Sequence, residues 1–343
     1  MRYLVTGATG FVGRRLVRRL LLDGHTVTAL VRDPARAELP PSVTVLTADL
    51  ADGRGLLRAV AEAGADRVIH LAGTVKATRP AGYAPVNADG TRRLCEALAG
   101  LPAPPRLVYC SSLAAAGPSR PGRPRRETDP PEPVSAYGRG KLAGELALRA
   151  VADRVPGTVL RPPIVHGPGD TEFLPALLAM VRRGVLPVCG TGPRLYSLIH
   201  VDDLCRALVA AAERGATVEH RASARGVYHV GDGVEHHYQD LAADVAALVG
   251  RRPPRTVPVP RTVAMATAWG AELAARARGR PSMFARDKIR EARFPAWTCG
   301  HDRAARDLGF VPETVWPAGL ADALRPTAPP VPPPVPPSAP TAV

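Results

Sequence analysis

The chain begins with a short apolar strand pattern that runs directly into a glycine-rich turn and a helical pattern. The turn, residues 6–13, reads T-G-A-T-G-F-V-G. Backbone N–H groups at the start of such a helix can hold a pyrophosphate, and the glycines allow a tight turn and close packing of the helix on the sheet. This order of strand, turn and helix predicts a dinucleotide-binding fold. The residues expected to contact the dinucleotide here are Gly7, Thr9, Gly10, Phe11, Val12 and Gly13.

The part of the chain before Arg161 alternates short β-branched runs with stretches at helical spacing. Strands are predicted at residues 3–6, 26–31, 43–46, 67–71, 107–110 and 158–161, and helices at 12–22, 56–63, 91–99 and 136–150. Strands that alternate with helices form a parallel sheet covered on both faces. We therefore predict an α/β fold with a Rossmann-type doubly wound sheet.

Prolines and glycines divide the second half of the chain into loops and shorter elements. Strands are predicted at residues 197–201 and 227–230, and a helix from Asp202. We expect a Rossmann domain over residues 1–165, with 195–232 returning to it, and a smaller C-terminal substrate lobe over 166–194 and 233–325.

Two segments near the C-terminus have a biased composition. Residues 261–278 are Ala-rich and basic and predict a helix that covers the substrate lobe, with a helix on a membrane surface as the alternative. Residues 326–343 are Pro-rich and uncharged, which predicts a disordered tail rather than a ligand for a Pro-binding module.

The formal net charge of +14 is high enough to raise the question of nucleic-acid binding. Lysine occurs only at positions 76, 141 and 288, so nearly all of the positive charge is arginine, as in proteins from GC-rich genomes. The arginines are scattered and form no long basic run, whereas a nucleic-acid site needs a clustered basic face. We therefore expect a small-molecule substrate and no nucleic-acid partner.

The cysteines and the hydropathy pattern indicate the compartment. The five cysteines are widely spaced and form no C-x-x-C pair, which is typical of reduced thiols and predicts no metal site. No signal peptide and no apolar run of about 20 residues is visible, so we expect a cytoplasmic protein without stable membrane insertion.

Tyr137 and Lys141 lie four residues apart on a predicted helix, so they share one face. An ammonium near a phenol favours the phenolate and is expected to lower the pKa of Tyr137 from its usual value of about 10. A phenol with a pKa nearer neutrality can donate or accept the proton of an alcohol or ketone.

The end of the second predicted strand bears on the choice of dinucleotide. An acidic residue at this place usually bonds the ribose hydroxyls of NAD, whereas here Val31 fills it and Arg32 follows. A guanidinium suits a 2′-phosphate, which favours NADP(H) over NAD(H), although Asp33 can still turn back to the ribose. Asp49 and Leu50 are placed to meet the adenine, with a helix cap as the alternative for Asp49.

Eight segments in fixed order resemble the extended short-chain dehydrogenase/reductase superfamily, in its NAD(P)-dependent epimerase/dehydratase group. They are T-G-A-T-G-F-V-G at residues 6–13, A-D-L at 48–50, H-L-A-G at 70–73, V-N-A-D-G-T at 86–91, S-S at 111–112, Y-G-R-G-K at 137–141, R-P-P-I-V-H-G-P at 161–168 and H-V-D-D-L at 200–204. The resemblance covers nearly everything except the tail.

The resemblance implies a catalytic group of three residues. Tyr137 is the implied acid/base, Lys141 lowers its pKa and binds the nicotinamide ribose, and Ser112 hydrogen-bonds the reacting oxygen. Asn87 is expected to tie two strands, and His200 to be a buried, hydrogen-bonded histidine. Beyond the glycine turn, the residues expected to bind the cofactor are Arg32, Asp49, Leu50, Leu71, Ala72, Gly73, Ser111, Tyr137, Lys141, Pro162 and Ile164.

Three departures from the family pattern concern the substrate. Leu113 and Ala114 stand where sugar-nucleotide dehydratases carry an Asp-Glu pair. Ile164 replaces an Asn common in sugar-nucleotide epimerases, and Tyr196 replaces an Arg that contacts phosphate, although Arg194 is near. A site without this amide and this guanidinium holds a diphosphate poorly.

The chain is therefore most similar to the branch of 3β-hydroxysteroid dehydrogenases and dihydroflavonol reductases. We expect hydride transfer between a nicotinamide and a secondary alcohol or ketone of an apolar, cyclic substrate. A nucleotide-sugar epimerase or reductase is the second hypothesis, and a non-catalytic NADP-sensing regulator is the third. The family often dimerises through two helices of the first lobe, so a homodimer stays open.

Overall fold

The computed structural model describes residues 1–77, 79–221, 223–277 and 286–324; the predicted tail at 326–343 lies outside them. Its strands are β1 (Arg2–Thr6), β2 (Thr26–Val31), β3 (Thr44–Thr47), β4 (Arg67–His70), β5 (Arg106–Cys110), β6 (Gly157–Arg161), β7 (Ile164–His166), β8 (Val185–Cys189), β9 (Leu195–Tyr196), β10 (Leu198–His200), β11 (Val227–His229), β12 (His236–His237), β13 (Arg255–Val259) and β14 (Ala296–Trp297).

Helices alternate with these strands. They are α1 (Phe11–Leu22), α2 (Leu56–Ala63), α3 (Ala84–Asn87), α4 (Asp89–Ala99), α5 (Leu113–Ala116), α6 (Ala136–Ala150), α7 (Phe173–Arg183), α8 (Val201–Arg214), α9 (Tyr238–Leu248), α10 (Arg261–Ala277), α11 (Arg286–Ala292), α12 (Asp302–Leu308) and α13 (Leu320–Leu324). Short 3-10 turns lie at Pro34–Arg36 and Pro80–Tyr83.

Seven strands form one parallel sheet in the order β11-β6-β5-β4-β1-β2-β3. The predicted α/β class with a Rossmann-type parallel sheet is confirmed. Most predicted boundaries agree with the structure within a residue or two. The strand predicted at 197–201 is β10, which pairs with β7 in a separate sheet, whereas β11 joins the edge of the main sheet beside β6.

The central strands are buried on both sides because two helical layers cover the sheet. Along β1, Tyr3 and Val5 pack into one apolar cluster and Leu4 into the other, as the period of two in a strand requires. Helices α1, α8 and α12 cover the first face, and α2, α4 and α6 cover the second.

The later segments build a further apolar cluster beside the sheet. It contains residues of α7, α9, β8 and β10 together with Trp316 and Leu320. Helix α10 contacts α11, and α11 also contacts β8. The helix predicted at residues 261–278 is therefore present up to its last described residue, Ala277.

Candidate active site

The glycine turn after β1 has the geometry that a bound pyrophosphate requires. Gly7 adopts a positive φ of 70°, and a Cβ there would lie 2.6 Å from the backbone nitrogen of Ala72. A Cβ on Gly13 would lie 2.1 Å from the carbonyl oxygen of Gly7, so α1 packs against the turn at a distance that only glycine permits. No side chain caps α1 at Gly10, which leaves its first N–H groups available for a phosphate.

The end of β2 presents Arg32 to solvent beside this turn. Asp33 is engaged locally, since its Oδ1 accepts a hydrogen bond of 3.1 Å from Ala35 N and its Oδ2 pairs with Arg36 at 3.3 Å. Asp49 accepts 2.8 Å from Ala51 N, and α2 begins only after Gly55, so Asp49 does not cap that helix. Of these carboxylates and cations, Arg32 is therefore the side chain free to meet a ribose phosphate.

The loop after β4 lies between the glycine turn and α6. Ala72 N donates to Thr6 Oγ1 at 3.2 Å, and a Cβ on Gly73 would lie 3.1 Å from Lys141 Nζ. Asn87 holds the loop by accepting from Thr74 N at 2.7 Å and donating to Thr74 O at 2.9 Å. Asn87 is structural, as predicted, but it ties α3 to a loop rather than two strands.

The structure brings the predicted pair Ser112 and Tyr137 together. Ser112 follows β5 and caps α5, accepting 3.2 Å from Ala114 N, while Tyr137 lies in the first turn of α6, which Ser135 caps. The hydroxyl of Ser112 lies near enough to the phenol of Tyr137 to act on it, and it lowers the pKa of Tyr137. Two hydroxyls at the carboxyl edge of a parallel sheet can bind one substrate oxygen.

Lys141 does not act on Tyr137 in the way the sequence predicted. Its buried ammonium donates to the carbonyl oxygen of Cys110 at 2.9 Å, and burial lowers the pKa of Lys141. Burial also raises the pKa of Tyr137 to about 12, and the main opposing charge is Lys288. The prediction that Lys141 brings this pKa below 10 is therefore wrong for the structure, because burial outweighs the nearby charges.

A buried ion-pair network that the sequence analysis missed fixes α6 to the sheet. Glu145 accepts from Ser111 Oγ at 2.5 Å and from two guanidinium nitrogens of Arg161 at 2.8 and 2.6 Å. Glu145 is 1% exposed and Arg161 4%. The hydroxyl of Ser111 is therefore used inside the protein. The position of Glu145, one turn after Lys141 on the same face, was the available signal.

Helix α11 is the second contribution that the sequence analysis missed. The buried carboxylate of Asp287 accepts 2.7 Å from Ala136 N and 3.1 Å from Tyr137 N, at the start of α6. Lys288 Nζ lies 5.5 Å from the ring centroid of Tyr137 and 3.2 Å from Glu291 Oε2. No local pattern links residues about 150 positions apart in the chain.

The surroundings of Tyr137 are apolar and aromatic. The cluster contains Leu113, Ala114, Ala116, Trp297 and Cys299, with Val134, Tyr137 and Tyr196 packed against it. Tyr83 lies edge-on to Tyr137 at 5.9 Å between ring centroids, and Tyr196 to Tyr238 at 5.7 Å.

The structure shows which contacts Ile164, Pro162 and Arg194 make. Ile164 packs into the apolar cluster of α7 and α9, and Pro162 accepts a backbone bond of 2.8 Å from Leu113 N. Arg194 is buried and donates to the carbonyl of Cys189 within its own loop. One nitrogen of its guanidinium is therefore bonded to the protein backbone, while its buried Nε has no hydrogen-bond partner.

His200 is buried, as predicted, and caps α8 by accepting 3.3 Å from Asp202 N. Asp202 pairs with Arg15 at 2.5 Å, and Asp203 accepts from the backbone of Glu313 and Thr314. These contacts hold the start of α8 and the C-terminal segment, while Nε2 of His200 is buried without a hydrogen-bond partner.

Comparison with known proteins identifies the family of the chain. Residues 3–231 match the family model described as "NAD dependent epimerase/dehydratase family". The chain belongs to this family. It is an NAD(P)-binding enzyme with a Rossmann fold, an oxidoreductase related to the reductases and epimerases of the extended short-chain group.

Among its relatives, a ceramide reductase of Caulobacter vibrioides (strain NA1000 / CB15N) is 34% identical over 86% of this chain and 84% of that protein. A 3-diazoavenalumate denitrifying reductase of Streptomyces sp is 34% identical over 93% of this chain and 99% of that protein. The solved structure of MoeE5 in complex with UDP-glucuronic acid and NAD has a TM-score of 0.71 at 28% identity, covering 94% of this chain and 97% of that chain.

Within the described residues, no helix is both long and apolar enough to cross a membrane.

Proposed function

We propose that this protein transfers hydride between a nicotinamide and a secondary alcohol or ketone of an apolar, cyclic substrate. The observation that carries the proposal is the placement of Ser112, at the start of α5, beside Tyr137 in an apolar and aromatic wall. Such a wall holds a ring by burial of area, at about 25 cal/mol per Å², while the two hydroxyls orient its oxygen.

The bound nicotinamide supplies or takes the hydride. In reduction, Tyr137 donates its phenolic proton to the substrate oxygen, and Ser112 donates a hydrogen bond to the same oxygen. In oxidation, Tyr137 accepts the hydroxyl proton of the alcohol. Burial raises the pKa of Tyr137 to about 12, so the phenol carries its proton at neutral pH.

We further propose that the cofactor is NADP(H) rather than NAD(H). The exposed guanidinium of Arg32 at the end of β2 supports this, since Asp33 is occupied by Ala35 N and Arg36. Gly7, Gly10 and the uncapped start of α1 would hold the pyrophosphate.

We assign binding of the cofactor and binding of the substrate to different parts of the chain. Residues 1–165, with 195–232, would bind the cofactor, and residues 166–194 and 233–325 would form the substrate lobe. The return of β11 to the main sheet and the packing of α8 on its face support this division. Dimerisation through two helices of the first lobe stays a prediction, which light scattering tests.

A nucleotide-sugar epimerase or reductase is the alternative, supported by the likeness to MoeE5 bound to UDP-glucuronic acid. Against it stands the apolar packing of Ile164, which leaves a diphosphate without the amide contact that many sugar-nucleotide epimerases use. Arg194, whose buried Nε has no hydrogen-bond partner, does not count against the alternative.

The deciding experiment measures nicotinamide absorbance with NADPH and a panel of sterol, flavonoid and long-chain ketones, and calorimetry with UDP- and dTDP-sugars. Turnover of an apolar ketone without sugar-nucleotide binding supports the proposal. Micromolar binding of a sugar nucleotide, with no turnover of any apolar ketone, would overturn it in favour of the epimerase.

A further inference from the structure

The first observation concerns the lysines. Of the 45 lysine and arginine residues in the chain, lysine accounts for only three, at positions 76, 141 and 288. Lys76 lies in the loop after β4, where it pairs with Glu172 at 2.7 Å, and Lys141 lies beside the same loop. Lys288 lies against Tyr137. All three lysines therefore lie at or near the candidate site, whereas the other positively charged side chains of the chain are arginines.

The second observation concerns how α11 reaches Tyr137. Asp287 bonds the first two N–H groups of α6, so its negative charge lies at the positive end of the helix that carries Tyr137. Glu291 O accepts 3.0 Å from Trp297 Nε1, which fixes the other end of α11 to the apolar wall. Lys288 lies between these two attachments and therefore has a defined position over the phenol ring.

The third observation concerns the charge that Lys288 presents. Its side chain is 51% exposed, and its ammonium lies over the ring of Tyr137 and pairs with Glu291 Oε2 at 3.2 Å. An ammonium over an aromatic ring within about 6 Å is attracted to the ring face, and attraction grows when the phenol ionises. Lys141, by contrast, donates a hydrogen bond to the carbonyl oxygen of Cys110.

We propose that Lys288 is a second lysine of the active site, a positioning residue that α11 holds over Tyr137 and that promotes ionisation of the phenol during proton transfer. The proposal rests on the proposed function, in which Tyr137 carries the proton. It assigns α11 of the substrate lobe a part in the chemistry as well as in substrate binding.

Several other groups face Tyr137 and set its titration together with Lys288. On its own helix and on the neighbouring elements they are Lys141, Cys110, Ser112, Tyr83, Tyr196, Asp287 and Glu291. Lys288 opposes the effect of burial most strongly, and Glu291 acts in the opposite direction. The carboxylate of Glu291 therefore moderates the lysine that it holds.

The test is kcat/KM for reduction between about pH 7 and pH 10, where the phenol, with its pKa of about 12, stays protonated. Lys288→Met should lower kcat/KM by about three- to tenfold, because the phenol without the nearby ammonium is a weaker acid and a half-exposed charge acts at the low end of its range. Lys288→Arg should stay near wild type. Glu291→Gln should raise kcat/KM, since it removes the opposing charge.

Arg293→Met is the matched control, because it removes one exposed positive charge from the residue just after α11. It should leave kcat/KM unchanged. Circular dichroism and a fluorescence titration with NADPH show whether each variant still folds and still binds the cofactor.

Three results would overturn the inference: an unchanged kcat/KM in Lys288→Met, equal losses in Lys288→Met and Arg293→Met, or a lower kcat/KM in Glu291→Gln. An inactive Tyr137→Phe with any of these leaves the proposed function standing and removes only Lys288. A fully active Tyr137→Phe removes the proposed function itself.

Discussion

Glu145→Gln tests how strongly the buried network fixes α6 to the sheet. The substitution keeps the shape of the side chain and one acceptor for Ser111, but it leaves the Arg161 guanidinium 4% exposed and without its counterion. Removing one partner of a buried pair costs about 3–5 kcal/mol. Because the amide keeps one acceptor, we expect the lower end, about 3 kcal/mol of unfolding free energy.

Urea denaturation followed by circular dichroism measures this cost. The control is Glu96→Gln, which breaks an exposed pair with Arg92 on α4 and should cost no more than about 0.5 kcal/mol. Adding Arg161→Gln to Glu145→Gln should cost little more, since the unpaired charge is then gone. A loss below about 1 kcal/mol in Glu145→Gln would refute the reasoning.

Three further results are expected. Arg32→Glu should invert or abolish the preference for NADP(H) in a fluorescence titration with both cofactors. Lys141→Ala should weaken both cofactor binding and turnover in the same assays. Burial lowers the pKa of His70 and His229 to about 3 and of His166 to about 4. Above about pH 6.5 these histidines are neutral in both states and the free energy of unfolding is unaffected. Below it, the unfolded chain takes up protons that the buried histidines do not. The free energy of unfolding should therefore fall by about 1.4 kcal/mol per histidine at pH 5.5, which thermal unfolding detects.

The parts of the fold that the sequence predicted are those with local signals. The glycine turn, α1 and α6 follow from spacing and from residues that the backbone requires, such as Gly13 against the Gly7 carbonyl. The edge position of β11 beside β6 has no such signal, because strand pairing depends on contacts between distant segments.

The candidate site shows the same division. Ser112 and Tyr137 were predictable, since each lies in a short motif at a strand end or helix start. The direction in which the pKa of Tyr137 shifts could not be predicted, because it depends on how deeply the phenol is buried. Asp287 and Lys288 reach it across about 150 residues, and only the scarcity of lysine in the sequence pointed to Lys288.

The most direct test of the account is Tyr137→Phe, assayed for NADPH oxidation with the best apolar ketone of the panel. The ring still packs against Tyr83 and the apolar wall, so cofactor binding should stay within about twofold of wild type. The transferable proton is gone, so kcat should fall by about 10²–10⁴. A variant that keeps near-wild-type turnover would contradict the central claim that Tyr137 carries the proton.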